Sequence, residues 1–463
     1  MAAKEKDKKE KKEKFSKKMD LEELMAAING KYGKGKIARA SSSRALSVPR
    51  LETGVFSVDY ATGGGLPIGR ITGIYGKKSS GKTLLALKSV ASAQRYCRKH
   101  LIKMVHTKKK LYRCLECGYR GEKEGSLCPD CVEAGYEVKL IDMGDREMKC
   151  PECKEYNPFE TVWIDAEGAW ENSWAQKAGV NCHHVYMIRT EFAEQAIDIS
   201  DLVIRNGKCD LMVIDTIAHL IPMIEVEESA EKNQMGVHAR LMNKMFRKLV
   251  SAQNSPNLTM DTRPTIIVLN QVRMKLGVMF GDPETKPGGM GQDFATSVDL
   301  KTWAGKYEKD EAGNTLNLIT NFRAVKNKVA PPQQEGNFRV WLRDYDGHKV
   351  CDVEDVHVVL GQALKHKWFG DYDNEKESFG VYEGKEFVAG TGKYKEVSFT
   401  NVDEIFKYFS DNPDEYETLR TALFADMLGK IMSDEDAMKV SGDFDATGDD
   451  EVPEGKVDGD KEE

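Results

Sequence analysis

Apolar positions along the chain fall into short unbroken runs that alternate with longer stretches of helical spacing. Arg70-Ile71-Thr72-Gly73-Ile74-Tyr75, Thr161-Val162-Trp163-Ile164, Leu211-Met212-Val213-Ile214 and Thr265-Ile266-Ile267-Val268-Leu269 are too short for helices, and the last three are apolar at nearly every position. Such runs predict strands buried on both faces, the pattern of a mostly parallel sheet. Helical spacing marks Leu84 to Ala93, Val356 to Lys365 and Val402 to Phe409. It also marks Asp20 to Tyr32, with Leu21, Leu24, Met25 and Ile28 on one face and Gly33 and Gly35 as a stop. Strands and helices alternate from Thr53 to about Leu342, and a smaller α/β lobe follows from about Asp352. No internal repeat is visible.

Candidate chemistry begins where the first run ends. Gly76-Lys77-Lys78-Ser79-Ser80-Gly81-Lys82-Thr83 fits G-x-x-x-x-G-K-[ST] and sits between a predicted strand and a predicted helix, the context the motif requires. Its glycines let backbone N–H groups surround phosphates, Lys82 neutralises the β- and γ-phosphates, and the Thr83 hydroxyl is suited to Mg²⁺. Asp215 closes the Leu211 run and is placed to hold the Mg²⁺ water shell beside Thr83. Asp165 and Glu167 close the Thr161 run, and Glu167 is the candidate base that orients water against the γ-phosphate. The same two acids also fit a cap on the next helix. Gln271 ends the Thr265 run with an amide able to sense a γ-phosphate.

These residues stand among segments that resemble the bacterial RecA recombinases. The segments are Ser57-Val58-Asp59-Tyr60-Ala61-Thr62-Gly63-Gly64-Gly65-Leu66-Pro67-Ile68-Gly69-Arg70, Ile164-Asp165-Ala166-Glu167, Gln234-Met235-Gly236-Val237-His238-Ala239-Arg240-Leu241-Met242, Asn270 to Gly281, Pro283-Glu284-Thr285 and Val325-Lys326-Asn327-Lys328. The resemblance runs from about Leu21 to about Leu428, with one interruption. It implies an α/β fold with a RecA-like P-loop ATPase core and a mostly parallel central sheet, an N-terminal helix that docks on the adjacent subunit, and a small C-terminal α/β lobe. It implies ATP and Mg²⁺ as cofactors and a helical filament, self-associated on single-stranded DNA, that pairs with duplex DNA and exchanges strands.

Residue by residue, the resemblance implies that Lys82 and Thr83 bind phosphate and Mg²⁺, that Glu167 activates water, and that Gln271 couples the γ-phosphate to a DNA loop. Glu171 and Trp174 fall where the family contacts adenine, and Lys326 and Lys328 where it reaches the neighbouring subunit's ATP. Two DNA loops are implied, about Glu225 to Met235, followed by Arg240 and Arg247 on a helix, and about Arg273 to Phe294. The stretch from Leu276 to Phe294 is rich in glycine and holds Pro283 and Pro287, so it cannot pack as helix or strand without a ligand. Across the two loops and the helix after the first, Met235, Met279 and Phe280 are the candidate base contacts, and Arg240, Arg247, Arg273, Lys275 and Lys286 the candidate phosphate contacts. Glu225, Glu227, Glu228, Glu231 and Asp282 share the same loops, so charge alone makes no case. A DNA-dependent branch-migration motor and an ATP-gated single-strand coat are the alternative functions.

Composition adds an asymmetry. The net charge is −7, yet residues 1–18 carry nine Lys against four acids, while Ser433 to Glu463 carry thirteen acids against three Lys. A disordered basic arm and a disordered acidic tail are the reading, the tail able to compete with phosphate for basic surfaces. No membrane span or apolar leader is seen, which places the chain in a cytoplasm, the host's if it is phage-encoded. The expected organisation is an arm (1–18), an oligomerisation helix and linker (19–50), an ATPase core (51–345), a C-terminal α/β domain (346–432) and a tail (433–463).

The interruption, residues 98–160, is an insertion that the bacterial recombinases lack, and it is why a source in a large DNA virus of bacteria is expected. Cys114-x-x-Cys117 and Cys128-x-x-Cys131 lie ten residues apart and present four thiolates, the ligand set of a zinc-ribbon-like module with structural Zn²⁺. Cys150-x-x-Cys153 is a candidate pair for a second ion. Cys97-x-x-His100 has the spacing to complete it but equally suits the end of the preceding helix. Cys182, Cys209 and Cys351 read as isolated buried thiols. Lys103, Lys108, Lys109, Lys110 and Arg113 precede the first knuckle, so the module is expected to add salt-sensitive nucleic-acid affinity or, failing that, to dock a loader or accessory protein, a role open to the acidic tail too.

Overall fold

The computed structural model describes residues 20–32, 37, 48–117, 119–227, 236–259, 262–274, 284–371, 377–378, 381–382, 388–389, 399 and 401–433. Residues 1–18 and all of the expected tail but Ser433 lie outside that set. The chain divides into two units, Met1–Pro49 and Arg50–Glu463. In the first, helix α1 (Leu21–Tyr32) starts after Asp20, whose Oδ1 accepts the Glu23 N–H at 2.8 Å and so satisfies a donor that a helix start leaves open.

The second unit is built on a nine-stranded sheet. Helix α2 (Phe56–Ala61) leads to β1 (Ile71–Gly76), the phosphate loop and helix α3 (Lys82–Ala93). Strands β2 (Val105–Arg113) and β3 (Ile141–Lys149) belong to the insertion. Then come β4 (Thr161–Asp165), α4 (Asn172–Lys177), β5 (Val185–Ile188), α5 (Ala193–Asn206) and β6 (Leu211–Asp215). Helix α6 (Val237–Gln253), β7 (Thr265–Gln271), β8 (Val298–Lys309), β9 (Thr315–Asn327), β10 (Gln334–Trp341) and β11 (Val353–Glu354) complete it. The spatial order is β11-β10-β9-β8-β1-β7-β6-β4-β5.

From β8 to β5 every pairing is parallel. Successive side chains of the central strands point to opposite faces. Leu211, Val213, Ile267 and Leu269 pack with Leu84, Leu85 and Val90 of α3 on one face. Met212, Ile214, Ile266 and Val268 pack with Ile197 of α5 and Met242, Phe246 and Leu249 of α6 on the other. Burial on both faces is why these strands read as unbroken apolar runs. Truncating a fully buried member such as Leu85 to Ala carries the usual large-to-small cost of about 2–5 kcal/mol.

The expected strand–helix alternation as far as Leu342 stops at β8. Strands β8 to β11 pair antiparallel. The β8–β9 reversal is a tight turn in which the Asp310 carbonyl accepts from Gly313 N at 3.0 Å, with Gly313 at φ 83°, and it leaves no length for a crossover helix.

Beyond the sheet, α7 (Val356–Lys365), α8 (Val402–Asp411) and α9 (Pro413–Ser433) gather Leu360, Leu364, Phe369, Ile405, Phe409, Leu419 and Leu423 into a core closed by Phe56 of α2. Helix α9 is absent from the sequence reading, although Tyr416, Leu419, Leu423 and Met427 recur at helical spacing and are buried.

The insertion is an antiparallel ribbon, β2 with β3, widened by Arg120–Gly121 against Tyr112 and Arg113. It leaves and re-enters the core at one place, where Arg98 N donates to Asn157 O at 2.9 Å. Its outer part leans on the core through His183 Nδ1 and Asp130 (3.0 Å), and through Gln176 Nε2 of α4, which donates to Glu116 O at 3.3 Å.

Candidate functional site

Parallel pairing fixes which residues meet at the C-terminal edge of the sheet. In register, Gln271 stands opposite Gly76, and Asp165 opposite Asp215. The phosphate loop, the two acidic strand ends and the Gln271 amide therefore share one edge, the place where open parallel sheets take ligands. The loop needs glycine at Gly81, which caps α3 at φ 80° and whose Cβ would meet Thr320 Oγ1 at 2.7 Å. At Gly76 a Cβ would fall 2.1 Å from Thr302 O. Ser79 also adopts positive φ, and Ser80 Oγ bonds Thr302 Oγ1 at 2.9 Å.

Lys82 folds back on the loop, donating to Lys77 O at 2.6 Å, Gly76 O at 3.2 Å and Ser80 Oγ at 3.4 Å. Its ammonium pKa is lowered by burial, against the pull of Asp215 and Glu167. Thr83 Oγ1 donates to Asp215 Oδ2 at 3.1 Å. Asp215 Oδ1 is buried with no hydrogen-bond partner among the described residues. Burial, with Glu167 and Asp165 adding repulsion against the Thr83 hydrogen bond and Lys82, pushes the Asp215 carboxyl up to about 7. An orphaned oxygen, a hydroxyl and crowded acids suit a divalent cation, which would supply both the missing partner and the missing charge. The Asp215–Thr216 peptide is cis.

Asp165 accepts from Ala169 N at 3.0 Å and Trp170 N at 3.2 Å, so it fixes the turn after β4 rather than capping α4. Glu167, on that turn, stays half-exposed and 4.0 Å from His219 Nδ1. The cap of α4 is Glu171, whose carboxylate accepts from Ser173 N and Trp174 N. That carboxylate is engaged within its own helix start, whereas the Trp174 side chain is exposed.

The other expected site residues divide. Lys326 Nζ donates to Asp293 O and, at 2.7 Å, to Thr296 O; burial first and then Lys328 lower its pKa. Lys328 anchors by its backbone N–H to Ser297 O at 2.9 Å. Lys286 is not turned to solvent as a free phosphate contact would be. It pairs with Asp293, lies 3.3 Å from Asp299 Oδ2 and sits over the Tyr75 ring at 4.5 Å. Arg240 and Arg247 are exposed on α6, and Lys244, which the sequence reading omits, is exposed between them. Helical spacing would have found it. Arg273 is exposed on a two-residue ladder that sets Arg273 opposite Thr285. In the same ladder Glu284 pairs with Lys77 at 3.1 Å and Lys301 at 2.8 Å, tying the second expected DNA loop to the phosphate loop. Met235, Lys275, Met279 and Phe280 lie outside the described residues.

Two cysteine groups gather in the insertion. Cys114, Cys117, Cys128 and Cys131 bring their sulfurs together, with Cys114–Cys131 at 3.5 Å and Cys117–Cys128 at 3.4 Å. Cys150 and Cys153 meet Cys97 and His100. The helical alternative for Cys97 and His100 is corrected: α3 ends at Ala93 with Gln94 as its cap, and a Tyr96–Lys103 bridge follows. The basic stretch before the first knuckle is largely ion-paired. Lys103 meets Glu52 at 2.9 Å, Lys110 meets Asp142 at 3.1 Å, and Lys109 sits between Glu122 and Glu147.

The RecA N-terminal domain family matches residues 19–113 and 152–344, leaving out the stretch that carries Cys114, Cys117, Cys128, Cys131 and Cys150. Similar proteins include protein RecA of Aquifex pyrophilus, 31% identical over 378 residues (81% of this chain, 89% of that protein). Protein RecA of Aquifex aeolicus is 31% identical over 390 residues, covering 84% and 91%. Protein RecA of Desulfotalea psychrophila is 32% identical over 375 residues, covering 80% and 85%. No helix among the described residues is long and apolar enough to cross a membrane.

Proposed function

The chain belongs to the RecA family, and from that premise we propose that ATP bound on Gly76 to Thr83 is hydrolysed on single-stranded DNA to drive homologous pairing and strand exchange. A RecA-type recombinase is a DNA-dependent ATPase, and the nucleotide half of that activity has the firmest support. The carrying observation is the 3.1 Å contact of Thr83 with Asp215, whose second oxygen is buried and orphaned. Thr83 and Asp215 would hold Mg²⁺, which neutralises developing phosphate charge when bound. Lys82 has hydrogen bonds to loop carbonyls to exchange for phosphate oxygens. Glu167 would orient and deprotonate water, Gln271, opposite Gly76 in the sheet, would report the γ-phosphate, and Trp174 would contact adenine.

Arg240, Lys244 and Arg247 form an exposed basic stripe on α6 that would take the DNA backbone, and exposed Arg273 is a further candidate contact. In a filament, Lys326 and Lys328 would leave their present carbonyl partners or the local backbone to meet a neighbour's nucleotide, and α1 would offer Leu21, Leu24, Met25 and Ile28 to the adjacent subunit. Zn²⁺ on Cys114, Cys117, Cys128 and Cys131 would hold the outer insertion. Substituting Glu167→Gln tests the assignment. ATP binding should persist while single-turnover hydrolysis falls roughly 10²-fold or more, the range for a lost acid–base contribution. Normal hydrolysis would move the water-positioning role elsewhere.

A further inference from the structure

We propose that Cys97, His100, Cys150 and Cys153 form a second zinc site, a three-sulfur, one-nitrogen clasp at the neck of the insertion, separate from the four-cysteine site. Three observations carry it.

The first is distance. A tetrahedral Zn²⁺ with Zn–S of about 2.3 Å and Zn–N of about 2.0 Å requires S···S edges near 3.8 Å and S···N edges near 3.5 Å. Here Cys97 Sγ lies 3.8 Å from Cys153 Sγ, while His100 Nδ1 lies 3.6 Å from Cys97 Sγ and 3.4 Å from Cys150 Sγ. All four ligand atoms fall within 4.8 Å of one another. The cysteines are free, so no disulfide accounts for their approach.

The second is a shared turn. The N–H of Cys114 donates to Tyr119 O, five residues on, at 2.8 Å. Cys97 N donates to Ile102 O at 2.8 Å and Cys150 N to Glu155 O at 2.9 Å, the same five-residue closure. In the latter two the fifth residue of the turn, Leu101 or Lys154, adopts positive φ, 55° and 61°. A non-glycine residue holds that conformation only where its surroundings impose it. Cys97-x-x-His100 is therefore shaped as a ligand knuckle although its sequence reads equally as a helix end.

The third is the surrounding shell. Cys97, Met104, Met148 and Cys150 are buried together, with Ile102 and Cys153 packed against them, while Asn157 Nδ2 reaches Cys153 Sγ at 3.7 Å. An apolar shell with a donor to one sulfur is what a structural site supplies around its thiolates.

The clasp would join the chain where it leaves α3 to the chain where it returns toward β4. One ion would thus tie the end of α3, whose first residue is Lys82, to the approach to β4, the strand that leads to the Glu167 turn, which gives it a task the outer site lacks.

The test is zinc content of the full-length protein. Wild type should hold about two ions per chain, as two closed four-ligand sites demand. His100→Ser should hold about one, and because His100 is exposed its loss leaves the buried shell intact. His100→Cys should restore the second ion, which a merely structural role for the imidazole would not. The double substitution Cys114→Ser with Cys131→Ser should leave one ion whose X-ray absorption spectrum reads three sulfurs and one nitrogen. One ion in wild type, lost wholly with Cys114 and Cys131, would overturn the clasp. Two ions retained in His100→Ser would overturn the ligand assignment.

Discussion

Around Asp215 the structure is held by apolar strands and helices; around Cys131 it is held by very little besides cysteine. The Asp215 strand is buried at every position, and both its faces meet continuous helix packing. In the outer insertion the buried apolar set is Cys114, Cys128, Cys131 and Leu140, supported by Tyr112, Cys117, Tyr119 and Val138. At the neck it is Cys97, Met104, Met148 and Cys150. A segment of this size cannot bury enough apolar surface to hold one shape, and metal or disulfide staples normally supply the difference. The contrast teaches that the C-terminal edge of the sheet is organised by apolar packing and should be rigid before any ligand arrives. The insertion should depend on the zinc proposed for its cysteines and should come apart without it.

The largest effect that could break this contrast lies at the outer cysteines. Structural zinc contributes about 10–16 kcal/mol in small zinc-dependent folds. Cys114→Ser should therefore release one zinc and expose β2, β3 and residues 114–131 to rapid amide hydrogen exchange, while β1, β6 and β7 keep their protection. Loss of protection in β6 would show that the insertion holds the site together after all.

Next in size is Lys82→Ala. Each charge-assisted hydrogen bond is worth roughly 1.5–3 kcal/mol, so losing the ammonium should weaken ATP binding by at least about 10²-fold in a fluorescent-nucleotide titration. Zinc content should stay unchanged. A parallel loss of zinc would collapse the distinction between the two regions.

The smallest effect concerns the sheet edge. Burial raises the Glu354 pKa, but hydrogen bonds from His357 (3.1 Å) and Arg339 (2.9 Å) outweigh it and bring the carboxyl from 4.5 to about 2. A depressed carboxylate stabilises the fold above its unfolded pKa, and that stability is lost as pH falls through the folded value. Glu354→Gln should cost about 2–3 kcal/mol at neutral pH, with the gap to wild type closing as pH falls from 4.5 toward 2. Chemical denaturation across that range reads it, and a gap independent of pH would refute the ion-pair account.

The same contrast explains what was legible beforehand. Thr161 to Asp165, Leu211 to Asp215 and Thr265 to Gln271 could be read as strands because burial on both faces leaves an unbroken apolar run. Their acidic or amide ends fall together at the C-terminal edge of the sheet. Invisible were the contacts that antiparallel β8 and β9 bring to the phosphate loop, Thr302 and Thr320 among them, since pairing partners distant in sequence leave no local mark. Lys286 could not be read as internal because Asp293 and Asp299 meet it only after the chain turns back on itself. Cys97 and His100 carry the spacing of both a knuckle and a helix end, and the cap at Gln94 with the Tyr96–Lys103 bridge separates the two. Helix α9 does carry a legible pattern, with Tyr416, Leu419, Leu423 and Met427 at helical spacing.

The account rests on ATP turnover at Lys82, Thr83, Glu167 and Asp215 being coupled to exchange of DNA strands. A strand-exchange assay tests that most directly, using circular single strands and homologous linear duplex with purified full-length protein, ATP and Mg²⁺. Wild type should form joint molecules and then nicked circles, and Lys82→Ala should form neither. Protection of the single strand from nuclease, with no joint molecules from wild type, would contradict the account and leave an ATP-gated coat in its place.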